Sequence, residues 1–158
     1  MSQIVEHLKW CMKDPKRLVK TKSDLDLAQK HLTKSEYNYG IVRNLEKSKA
    51  YDWAFNVGFY AIYHCFLAIL AKYGYRSRNQ ACTVTILLTL IKEKKLDLDK
   101  DLVSQFDTLD VEKSVSNPTV RENREISTYG VETSINLQQL KKLKELILEV
   151  QRETIRIL

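Results

Sequence analysis

Residues 121–130, RENREISTYG, crowd two guanidinium groups, two carboxylates and a phenol into ten positions just after the Asn117-Pro118 break. Guanidinium groups hold phosphates and carboxylates through paired, charge-assisted N–H donors. Two readings follow. In one, Arg121 and Arg124, one helical turn apart, pair with Glu122, Glu125 or Asp110, and Tyr129 before Gly130 anchors the turn into the last helix. In the other, the same arginines contact a phosphate or a nucleotide.

Other chemistry is thinly marked. His7, His31 and His64 fall on three separate predicted helices, and no metal site is expected from them. His64 sits in the most apolar run, either as a hydrogen-bonded core histidine or as a ligand or base. Cys11, Cys65 and Cys82 are odd in number and lack CxxC spacing, so disulfides and a secreted life are not expected, and Cys65 reads as a small buried hydrophobe. No GxGxxG, P-loop or GxSxG motif occurs, four glycines are too few for a phosphate cradle, and no pattern supports a nucleophilic Cys or Ser. No cofactor is expected.

The net charge is +6 over 158 residues. That surplus permits phosphate-backbone or acidic partners without requiring them. KEKK (92–95) and KKLK (141–144) read as solvated helix faces. The length fits one domain, 1–158, and the scarcity of Gly and Pro favours helices.

Periodicity then places the elements. Residues 2–13 form an amino-terminal extra helix ended by Asp14-Pro15. A second helix opens at a Ser23/Asp26 capping box and runs to about Lys47. A third spans about 48–73, with Gly74 as its cap. It has one face of Trp53, Val57, Tyr60, His64, Leu67 and Ala71, and another of Phe55, Phe59, Ile62, Phe66 and Leu70. A helix apolar all round must be covered all round, by the rest of the bundle or by a second copy of the chain. Its uncharged run 53–71 is nearly long enough to span a bilayer, but Asn56, His64 and two tyrosines interrupt it, so it is read as the central helix of a soluble bundle.

YRSRNQ (75–80) reads as a basic connector, ACTVTILLTLIKE as a helix despite its strand-prone threonines, and 97–113 as a helix with Leu102, Val103, Phe106 and Leu109 inward. Pro118 breaks that run. The last helix starts near Ser134, with Leu137, Leu140, Leu143, Ile147 and Val150 on its apolar side. The fold expected is all-α: an antiparallel up-and-down bundle of four long helices plus short extra ones.

The order of these pieces resembles the HEPN domain, a small prokaryotic helical family. The carriers are LAQKHL (27–32), then YDWAFNVGFYAIYHCFLAIL (51–70) with its paired tyrosines before a His, then AKYGYRSRNQ (71–80), and an Arg-containing loop ending in YG before the last helix. The resemblance covers roughly residues 15–156, and is to stand-alone HEPN proteins found beside small nucleotidyltransferases. It implies an up-and-down bundle that dimerises and, in many members, a metal-independent ribonuclease. There, an Arg is followed four to six residues later by a His, and two copies face each other across the dimer. Arg124 takes the Arg position, but five residues on stands Tyr129, and no His follows His64. Tyrosine, with a solution pKa near ~10, is a weak base at neutral pH.

The expectation is therefore a cytoplasmic homodimer whose ribonuclease motif is incomplete, leaving enzymatic activity open, and that associates with RNA or a nucleotide or works with a nucleotidyltransferase partner in a toxin–antitoxin-like pair. Arg121, Arg124, Arg76 and Arg78 are the nucleotide- or RNA-binding candidates, and Tyr129 is a candidate for modification by the partner. The alternatives are an active endoribonuclease using Arg124 with Tyr129 or His64, and a non-catalytic assembly subunit.

Overall fold

The three longest helices expected from the sequence, the second, third and last, become the longest helices of the computed structural model, which describes residues 3–107, 119–131 and 137–158. The order is α1 (Gln3–Met12), β1 (Leu18–Lys20), α2 (Leu25–Lys47), α3 (Tyr51–Tyr73), β2 (Tyr75–Ser77), α4 (Gln80–Lys92), α5 (Lys100–Phe106), α6 (Val120–Tyr129) and α7 (Leu137–Ile157). The protein is mostly helical. The anticipated Leu109, Asp110, the Asn117-Pro118 break and the start at Ser134 lie outside the described residues.

Local chemistry sets the boundaries. The α2 cap is Asp24, not Ser23: its carboxylate accepts from the Leu27 N–H at 2.9 Å. Gly74 ends α3 at φ 81°, a left-handed conformation where a Cβ would also lie 2.6 Å from the Thr21 carbonyl oxygen. Helix α4 forms because Thr85 and Thr89 turn their hydroxyls back onto the carbonyls of Ala81 and Thr85, satisfying themselves within the helix. The expected basic connector is a strand. Leu18 pairs with Ser77, Val19 with Arg76 and Lys20 with Tyr75, forming a small antiparallel ladder beside the helices.

Helix α3 is the axis of the molecule. Helix α2 runs along it as a hairpin partner, and α6 and α7 pack on its other sides. Gly58 lets α7 approach closely, since a Cβ there would meet Leu143 at 2.6 Å. The stripe of Phe55, Phe59, Ile62, Phe66 and Leu70 is buried inside this single chain. Phe106 of α5 closes it, stacking on Phe59 at 4.7 Å and meeting Phe66 edge-on at 5.1 Å. That stripe therefore needs no second copy to cover it, and α1 packs on α4 instead.

What remains open on α3 is the other stripe: Trp53 and Tyr60 are exposed, and Val57, His64 and Leu67 are half-buried. Among the described residues α3 alone is long and apolar enough to cross a membrane, and most of its apolar window is buried against its neighbours. Leu137, expected on the apolar side of the last helix, is exposed as its first residue, as is Leu25 at the start of α2.

Candidate functional site

The stretch 120–129 is a helix, not the expected loop. Thr119 caps it in a reciprocal box: its hydroxyl accepts the Glu122 N–H at 3.3 Å, and the Glu122 carboxylate accepts the Thr119 N–H at 3.4 Å. The T-x-x-E signal follows directly after Pro118 and was legible in the sequence. Asn56 of α3 donates to the Thr128 hydroxyl at 2.7 Å and pins the end of α6 near Trp53, one turn earlier on α3.

The two arginines of α6 have different surroundings. Arg121 is held by Asp107, Nε to Oδ1 at 2.9 Å, and by Glu125 at 2.9 Å. Asp107 takes the role anticipated for Asp110, while Glu122 is used in the cap. Arg124 is more deeply set. Its side chain is 12% exposed, its guanidinium carbon lies 4.4 Å from the Phe59 ring centre and 5.9 Å from that of Tyr60, and among the described residues its nearest carboxylate oxygen, on Glu125, is 3.9 Å away. Its buried Nε makes no hydrogen bond among the described residues. Tyr129 is 79% exposed, as are large parts of Ile126, on the same face, and Val131 beyond it.

Further along α3, His64 meets His31 of α2, Nδ1 to Nδ1 at 2.9 Å. One ring donates and the other accepts. Burial, with His31 and Lys34 nearby, pushes His64 down to about 4, and burial lowers His31 as well. Both imidazoles are therefore neutral at neutral pH. His64 shares the open stripe with Tyr60, one turn away, but so low a proton affinity makes it a weak base.

Arg76 and Arg78 do not join Arg121 and Arg124. They follow Gly74, about 22 Å along the α3 axis from Phe59. Arg76 makes one loose ion pair, 3.7 Å to Asp24. The four expected binding arginines thus form two separate pairs.

Cys11 and Cys82 form a disulfide, joining α1 to α4 across 71 residues of sequence. This overturns the expectation of unpaired cysteines: an odd count leaves one thiol over without preventing the other two from meeting. The remaining thiol, Cys65, is buried against Ser35 at 3.1 Å, and burial pushes it up to about 11. His7 approaches the bridge, Nδ1 to the Cys11 sulfur at 3.8 Å, and these two with Cys82 bring three donor atoms within 4.8 Å. The i, i+4 spacing of His7 and Cys11 stands in the sequence, contrary to the expectation that no histidine has a Cys or His three or four residues on, whereas Cys82 joins them only through the fold. With both sulfurs bonded to each other, the cluster is no metal cage in this state.

The fold and site together define a helical bundle whose central helix keeps one aromatic stripe open beside a set-in arginine. No protein-family model matches the chain, and no curated protein matches it.

Proposed function

We propose that this chain is a HEPN-type helical bundle of the up-and-down kind, acting in the cytoplasm as a homodimer that holds RNA or a nucleotide without cutting it. Its working partner would be a nucleotidyltransferase, a role suggested by the sequence resemblance alone. The observation that carries the reading is Arg124, set over Phe59 with an unsatisfied Nε, beside an exposed rim of Trp53, Tyr60, Ile126 and Tyr129. Among the described residues the one carboxylate contact of Arg124 is the long pair with Glu125, which leaves the guanidinium able to take a phosphate. Exposed aromatic rings accept stacked bases or a partner surface. A second copy docked on this rim would bring two Arg124 side chains towards each other.

Binding without cleavage follows from the proton chemistry. Tyr129 stands where the family motif has His, and His64 holds its proton too weakly to serve at neutral pH. A ribonuclease using Arg124 and His64 is the second reading, favoured only by their sharing the open stripe through Tyr60.

RNA binding and cleavage by the natural chain, by Tyr129→His and by Tyr129→His with Arg124→Ala separate the two. The proposal expects binding without cleavage by the natural chain, and cleavage gained by Tyr129→His and lost again with Arg124→Ala. Cleavage by the natural chain that His64→Gln removes would establish the second reading instead.

A further inference from the structure

At the end of α3 remote from Arg124, a cavity of about 210 Å³ opens between α2, α3 and β2. Its floor is apolar, made by Leu27, Leu67 and Ala71, and its polar wall is made by His31, Arg76 and Arg78. The ladder fixes this wall. Arg76 is in register with Val19, and the Arg78 N–H donates to the Arg17 carbonyl at 3.0 Å. Arg76 and Arg78 both line this opening, together with Tyr75 and Ser77.

Their charge is little used. Arg76 has only its 3.7 Å pair with Asp24, and no carboxylate lies within 4.0 Å of Arg78 among the described residues. His31 completes the wall. Its Nδ1 is taken by His64, which leaves Nε2 as the ring atom open to a ligand. When His64 donates to His31, Nε2 carries the proton and is itself a donor.

We propose that this cavity is a binding site for a phosphate monoester, with the phosphate on Arg76 and Arg78, His31 donating to one phosphate oxygen, and the first atoms of the organic body on the apolar floor. The modest volume suits a phosphate with the first atoms of its organic group inside rather than a whole dinucleotide. A free phosphorylated metabolite and the 5′-phosphate end of an RNA present the same chemistry. The site is separate from the Arg124 face and does not depend on the function proposed for it.

Calorimetric titration of the full chain with inorganic phosphate, with adenosine 5′-monophosphate, and with one short RNA carrying either a 5′-phosphate or a 5′-hydroxyl tests this. Saturable binding of the monophosphate is expected. It should weaken by about tenfold or more in Arg78→Ala and in His31→Gln, and stay unchanged in Lys142→Ala, on the exposed side of α7. A preference for the 5′-phosphorylated RNA identifies a nucleic-acid end as the source, and equal binding of the two RNAs identifies a small phosphoester. The proposal is overturned if phosphate and monophosphate both fail to bind at millimolar concentration. It is equally overturned if the Arg76→Ala, Arg78→Ala double variant, with an unchanged circular dichroism spectrum, binds as the natural chain does.

Discussion

The guanidinium carbon of Arg124 lies 4.4 Å from the centre of the Phe59 ring, which joins α6 to the central helix by a contact between a charge and an aromatic face. Such contacts contribute roughly 0.5–2 kcal/mol. Arg124→Ala should therefore cost the fold about 1 kcal/mol in urea unfolding, while RNA affinity falls by about tenfold or more from the lost phosphate contact. An Arg124→Ala chain that unfolds earlier yet binds RNA as before would assign the residue to packing alone.

Arg121 should behave in the opposite way. It bonds a buried carboxylate, Asp107, as well as Glu125. Removing one partner of a buried charged group costs about 1–3 kcal/mol. Arg121→Ala is predicted to lower the urea midpoint more than Arg124→Ala does and to alter RNA binding less. Equal affinity losses in the two variants would argue that both arginines touch the ligand.

Stability should fall on mild acidification. His64 takes up its proton near 6.5 when unfolded and at about 4 when folded. The unfolded chain is thus the better proton acceptor between those values, and folding weakens as pH drops from 6.5 towards 4. Half-burial leaves solvent to screen the effect, so the loss is set at about 1–2 kcal/mol. His64→Gln should flatten this part of the stability-versus-pH curve, and an unchanged slope would show that other groups cause it.

The bridge between Cys11 and Cys82 closes a long loop. Loop-closure entropy assigns such a cross-link about 4 kcal/mol, within a measured range of about 0–5. Dithiothreitol should lower the melting temperature of the natural chain and leave Cys82→Ser unaffected. Identical responses in the two proteins would place the sensitivity elsewhere.

Much of the fold was legible because helical periodicity is a local property. Helices α2, α3 and α4 lie where their apolar spacing and Gly74 put them, although Asp24 rather than Ser23 caps α2, and the inward roles of Leu102, Val103 and Phe106 hold. Pairings between distant segments were not legible. The β1–β2 ladder is three residues on each side, too short to leave an alternating pattern, and nothing near Cys11 announces Cys82. Which face of α3 stays open was not legible for a related reason. Both stripes are apolar, and only the arrival of Phe106 decides which is covered. At the site, residue types pointed to Arg121 and Arg124 together, whereas Asp107 separates their roles. The Thr119 box that makes their segment a helix was present in the sequence but overlooked.

The claim most exposed to test is that the uncovered stripe of α3, with the outer face of α6, is where a second copy docks. Sedimentation velocity of the natural chain at micromolar concentration, beside the Trp53→Glu and Ile126→Glu variants, addresses it directly. The account predicts a dimer for the natural chain and folded monomers for both variants. A natural chain that sediments as a monomer throughout, or variants that remain dimeric, would contradict it.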